Sequence, residues 1–139
     1  MLDWSEEGGF LRIGAHPFRE GTPLHHLPDE LLQRLDAFDL NGKDIYAQGL
    51  DTYLHKIEPF AERLGKPVVG GSDTHQFMQY GSIVNHFDQE FRTVQELKDL
   101  IHRSAYRIEV SPSLEIKVKA ANIIKALLKK NLSILEDVV

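Results

Sequence analysis

Leu50, Tyr53, Leu54, Ile57, Ala61 and Leu64 recur at the spacing of one helical face. Gly65 and Pro67 stop that helix, and the apolar run Val68-Val69 follows at once, closed by Gly70-Gly71. A helix handed to a short apolar strand within a few residues must fold back onto its own sheet. The same alternation of strand and helix with short connections recurs along the chain. It predicts an α/β layer with mainly parallel strands. Pro59 lies inside the helical pattern and predicts a kink or break near Glu58.

The other elements read as follows. Leu11 to Ala15 is a short strand, and Met1 to Gly9 an acidic, exposed leader. Leu27 to Leu35 is a helix with Pro28 at its start and Leu31, Leu32 and Leu35 as its stripe. Ala37 to Leu40 is a strand ended by the turn signal Asn41-Gly42. Ser82 to Phe87 is a strand. Thr93-Val94-Gln95-Glu96 is a capping box opening a helix that ends near Arg103. Tyr106 to Val110 is a last short strand. A C-terminal amphipathic helix within residues 111–139 carries Leu114, Val118, Ala121, Leu128, Leu132 and Leu135 on the side expected to dock on the body.

Two stretches carry chemistry. Gly70-Gly71-Ser72-Asp73-Thr74-His75 places a carboxylate and an imidazole two residues apart where a strand ends. Metal ions of hard and borderline character accept such oxygen and nitrogen donors. The same hexapeptide also reads as a tight turn in which Ser72 or Asp73 bonds backbone amides and His75 faces solvent. Leu11-Arg12-Ile13-Gly14-Ala15-His16-Pro17-Phe18-Arg19 is an apolar strand ending in His-Pro. Pro17 holds His16 extended where the strand leaves its sheet, the usual address of functional residues in barrel-like α/β folds. Arg19 reads either as a planar donor to a phosphate oxygen or as a solvent-exposed loop arginine. His86 is a second-tier candidate near the cleft, whereas His55 and the pair His25-His26 read as surface histidines.

Strand-end His-Pro, then strand-end Gly-Ser-Asp-Thr-His, then Gly81, resembles the later part of a PHP (polymerase and histidinol phosphatase) domain, a family of metal-dependent phosphoesterases. The resemblance runs from about Leu11 to Ile108, and Ser-Asp-x-His is its most specific element. It implies a single domain over residues 1–139, built as a partial distorted (β/α) barrel. It implies that His16, Asp73 and His75 are metal ligands, with Asp73 and Arg19 in catalytic roles. It implies two or three divalent ions in a complete domain, zinc, manganese or iron, and a phosphorylated small molecule or nucleotide as substrate. Such ions activate a bound water and stabilise the phosphoryl group and leaving oxygen. PHP domains usually carry a glutamate shortly before an asparagine; here Asp39 stands close before Asn41.

The chain departs from the family in one respect. A full PHP domain opens with His-x-His and supplies further ligands before the His-Pro element, and no His-x-His occurs here. The three retained positions serve different ions in the family. The expectation is therefore an incomplete site, with weak metal binding and little activity from this polypeptide alone. It is read as part of a longer enzyme or as a degenerate module kept for a scaffold or binding role. An amidohydrolase-like hydrolase is the other alternative. A barrel cut near Leu11 to Ala15 would leave an open strand edge, which predicts a homo-oligomer or a complementing N-terminal segment.

Composition narrows the class of protein. The 139 residues suffice for one domain, and 42% hydrophobic with 27% charged residues is ordinary for a globular chain. The absence of cysteine excludes disulfides and thiolate ligands. A net charge of −5 argues against general nucleic-acid binding. Residues 111–139 run against that balance, with five lysines against Glu115, Glu136 and Asp137. No membrane-span-length apolar run and no basic-then-apolar leader appear, so the expected setting is cytoplasmic.

Overall fold

The computed structural model describes residues 2–136, with side chains through residue 131. Among the described residues are five strands and six α-helices. They are α1 (Leu2–Glu7), β1 (Ile13–Gly14), α2 (Asp29–Leu32), β2 (Ala37–Asn41), α3 (Gly42–Gln48), α4 (Leu50–Arg63), β3 (Val68–Gly71), β4 (Ile83–Phe87), α5 (Val94–His102), β5 (Tyr106–Val110) and α6 (Leu114–Glu136).

β1, β2 and β3 form a parallel sheet in that order, with Phe38 opposite both Gly14 and Val68, and Asn41 opposite Gly71. All five residues of β2 are buried, as a central strand covered on both faces requires. Phe38 and Leu40 pack against Tyr53, Ile57, Phe60 and Ala61 of α4. Ala37 points the other way, toward Val69 and Ile101. By the two-residue period of a strand, Asp39 and Asn41 continue that second face to the C-terminal end of β2.

Of the expected partial barrel, the described residues show a parallel sheet of three strands and no closed barrel. β4 and β5 pair antiparallel, with Ile83 opposite Val110 and Phe87 opposite Tyr106. Between β3 and β4 two side chains stand in for a backbone ladder. The Gly70 N–H donates to Asn85 Oδ1 at 2.7 Å, and Asn85 Nδ2 donates to the Gly70 carbonyl at 2.9 Å. Ser72 Oγ donates to the Ile83 carbonyl and accepts from its N–H, both at 3.1 Å. These contacts set β4 beside β3 in the opposite sense, so the parallel run ends there. On its outer side β1 pairs with no strand among the described residues.

Three local expectations are corrected, and the acidic leader, exposed as expected, gains a helix. α4 runs unbroken through Pro59, whose ring is exposed while Tyr53, Ile57, Phe60 and Ala61 hold the buried face. The helix expected over Leu27 to Leu35 shrinks to α2. The Asp36 N–H already bonds the Arg12 carbonyl at 2.7 Å, which draws the chain into the sheet. Asn41-Gly42 does not make a turn. Asn41 caps α3, its Oδ1 accepting from the N–H groups of Lys43 and Asp44. The acidic leader forms α1, where Glu6 pairs with Arg12 and Arg34, and Asp3 with Arg34.

α6 enters the core through Leu114, Val118 and Ala121. Leu128, expected on the same side, is 49% exposed, because the helix has by then run past the body it packs on. Leu132 and Leu135 lie outside the residues whose side chains are described. Among the described residues no helix is long and apolar enough to cross a membrane.

Candidate functional site

The C-terminal ends of the three parallel strands converge on one polar cluster. β1 leads to His16, β2 ends in Asp39 and Asn41, and β3 leads to Asp73. Its centre is Arg19. Arg19 Nη2 donates to Asp73 Oδ2 at 2.9 Å and to Asn41 Oδ1 at 2.8 Å, and both Nη2 and Nε donate to Asp44 Oδ1 at 3.2 Å. Arg19 is therefore neither a loop arginine in solvent nor an unengaged cation. Burial works against its charge, but the Asp44 and Asp73 carboxylates outweigh that and raise its pKa. Its Nη1 is left without a hydrogen bond among the described residues.

Asp39 is a buried carboxylate, 8% exposed, beside Asp44 at 6%. Its Oδ2 accepts from Asn41 Nδ2 at 2.8 Å and from the His16 N–H at 3.4 Å. Its Oδ1 has no donor, and Asp44 Oδ2 is likewise buried without one. Burial pushes the Asp39 pKa up, and the Asp73 charge adds to the rise against the bond from Asn41. Gly71 makes the arrangement sterically possible. A Cβ there would overlap Asp39 Oδ1 and come within 2.9 Å of its Cγ. Tyr53 closes the floor, its hydroxyl 3.5 Å from the Asp39 carbonyl. Burial and the Asp44 and Asp39 carboxylates raise the phenol's pKa.

The Ser72 to His75 turn combines both sequence-based readings. Ser72 bonds backbone, as a turn residue does, whereas Asp73 aims its carboxylate at Arg19. The turn is braced from beneath by the buried Gln79. Its Oε1 accepts from the N–H groups of His75 and Gln76, both at 2.9 Å, and its Nε2 donates to the Asp73 carbonyl at 3.2 Å. His16 and Asp73 both hold left-handed backbone, with φ of 35° and 51°, so His16 is not extended ahead of Pro17 as its sequence context predicts.

The structure brings His16, Arg19 and Asp73 to the same strand ends, with His75 at the rim. His75 Nδ1 lies 3.8 Å from Asp73 Oδ1, and its side chain is 59% exposed. His16 Nδ1 faces Thr22 Oγ1 at 3.4 Å rather than Asp73. His86 is elsewhere, 3.0 Å from Glu109 on the neighbouring strand. His25 bonds the Pro17 carbonyl and His55 the Asp51 carbonyl. Asp44, Tyr53 and Gln79 were not singled out from sequence as site residues. For Asp44 a signal existed, since Asn41-x-x-Asp44 has the spacing of an N-cap with an acid in the first turn.

Nitrogen and oxygen donors of this kind suit zinc, manganese or iron. As arranged, however, they do not fit a resident ion. Asp73 spends one oxygen on Arg19, and the orphaned Asp39 Oδ1 lies against Gly71. Among the described residues no group of three or more His, Cys, Asp or Glu could hold a metal.

Residues 52–106 match the family model PHP_C, described as PHP-associated. That stretch holds most of α4, all of β3, β4 and α5, and the Asp73–His75 turn, so the resemblance to the C-terminal portion of a PHP domain holds across it. No curated protein matches the chain. The crystal structure of PsfC from Pseudomonas syringae PB-5123 is similar at a TM-score of 0.62 and 22% sequence identity, over 84% of this chain and 45% of that one. At that identity the likeness speaks for the fold alone. The chain spans less than half the length of PsfC.

Proposed function

We propose that this chain, whose residues 52–106 are a PHP-associated segment, supplies the C-terminal half of a PHP-type phosphoesterase site and is inactive by itself. One observation carries the reading. Three parallel strands deliver His16, Asp39 and Asp73 to one end of the sheet, and Arg19 links the last two through Asn41 and Asp73. In the complete site, residues outside this chain supply the remaining donors, and the outer edge of β1 is where that polypeptide or a second copy pairs. Arg19 has its charge matched by Asp44 and Asp73, so it serves as a fixed donor. Its Nη1 is available to one oxygen of a phosphorylated small molecule or nucleotide.

A second reading has its own support. Arg19 occupies an oxygen of Asp73 that a metal would need, which suits a non-catalytic scaffold on the same fold. Manganese titration followed by NMR separates the two. The half-site predicts weak, saturable line broadening centred on His16, Asp73 and His75 and lost in Asp73→Ala. Absent broadening overturns the half-site. Broadening centred on His25-His26 and unchanged in Asp73→Ala also overturns the half-site.

A further inference from the structure

A second cleft lies on the far side of the His75 turn and shares His75 and its brace Gln79 with the cluster described above. It is lined by Lys43, His75, Gln76, Gln79, Asn122 and Lys125, with Ala121. α3 contributes Lys43 from its first turn, the segment after β3 contributes His75, Gln76 and Gln79, and α6 contributes the rest.

Its walls are fixed before any ligand arrives. Gln79 holds the His75 and Gln76 amides, as described. Lys117 anchors α6 one turn earlier, its Nζ donating to the carbonyls of Tyr80 at 2.9 Å and Gly81 at 3.1 Å. Positions 121, 122 and 125 then fall on one helical face above the cleft. Lys117 is thus spent on backbone, whereas Lys43 and Lys125 make no ion pair among the described residues. No carboxylate lines the cleft. Two lysines without ion pairs, a histidine and three carboxamide residues therefore line one small cleft in a chain of net charge −5. The cleft itself is small, about 20 Å³ or room for roughly one water, so a larger ligand sits across its open mouth against the side chains of the rim.

We propose that this cleft binds a small, multiply charged oxyanion such as a phosphate group. The backbone N–H groups of Lys43 and Asp44 are already taken by Asn41, so the attraction comes from the lysine side chains. Binding is consequently salt-sensitive and needs no metal. A ligand whose scissile ester faces Asp73 would place a second anionic group here, but the cleft's affinity does not rest on that reading.

The test titrates the EDTA-treated chain with inorganic phosphate at constant ionic strength, read by amide NMR. Saturable shifts are expected at Lys43, His75, Gln76 and Asn122. Lys43→Gln and Lys125→Gln should each weaken binding roughly tenfold, the scale of one charged hydrogen bond. Lys119→Gln, on the exposed part of α6, should leave it unchanged. Shifts that fail to saturate, that spread along all the α6 lysines, or that survive both substitutions overturn the proposal. Phosphate binding that persists in Asp73→Ala upholds the cleft whatever manganese does. Manganese broadening without phosphate binding sinks the cleft and leaves the half-site standing.

Discussion

Gly71→Ala should be costly although nothing about the backbone forbids it. Gly71 has no positive φ, so alanine would ordinarily stabilise a strand position by ~0.4–1 kcal/mol through the unfolded chain. Here the new methyl overlaps Asp39 Oδ1 and stands 2.9 Å from Asp39 Cγ, against an optimal carbon separation of about 3.5–4.0 Å. Asp39 is short, 8% exposed, and pinned by Asn41 at 2.8 Å. Turning it away forfeits a hydrogen bond to a carboxylate, about 1.5–3 kcal/mol, and forcing a methyl into packed surroundings costs about 1–3 kcal/mol more. Less the chain-entropy gain, the net loss is about 1.5–5.5 kcal/mol. With a urea slope of about 2 kcal/mol/M, the denaturation midpoint should fall by ~1–3 M. The Asp39→Ala background removes the obstacle, so the two substitutions should couple by at least ~1.5 kcal/mol. A Gly71→Ala midpoint unchanged from the parent, or additivity within ~0.5 kcal/mol, refutes the account of how Asp39 is seated.

Three further outcomes follow from contacts described above or beside them. Asp36, 4% exposed, accepts from the Arg12 N–H at 2.8 Å and lies 3.4 Å from Lys98. Burial opposes its ionisation, but Arg12 and Lys98 prevail and hold its pKa below the ordinary 3.8. A depressed carboxylate stabilises above its unfolded value and loses that contribution as pH falls through the folded one. Asp36→Asn should therefore cost about 1.5–3 kcal/mol at pH 7, with the difference closing below about pH 3.8, in urea melts across pH. Pro59→Ala should raise stability by about 1–2 kcal/mol, since the exposed site regains the bond to the His55 carbonyl; an unchanged melting temperature contradicts this. Asn85→Ala should cost about 2–3 kcal/mol by stranding both polar groups of Gly70, and hydrogen exchange at the Gly70 amide should accelerate.

The strands and the longer helices were legible because burial imposes a period. The stripe from Tyr53 to Leu64 and the Thr93–Glu96 capping box both appear where they were read. What escaped depends on partners distant in sequence. Asn41-Gly42 carries a turn signal, and only the Lys43 and Asp44 amides meeting Asn41 Oδ1 make it a helix start. Pro59 breaks an isolated helix, yet tertiary burial on the opposite face carries α4 through it. The reversal at β4 rests on Asn85 and Ser72 reaching sideways, which leaves no trace in hydrophobic pattern. At the site, His16 and Asp73 were named from strand-end chemistry. The junction of Arg19 with Asp44 spans 25 positions and appears only in three dimensions.

The left-handed backbone at His16 and Asp73 sets folding and chemistry at odds. Glycine would relax the backbone at both positions, but at 73 it would also strip Arg19 of the carboxylate 2.9 Å away. A laboratory screen rewarding heat tolerance alone would thus drift toward glycine at 16, discarding an imidazole, while the Arg19 pairing guards 73. Any engineering of this chain for robustness has to hold the histidine by hand.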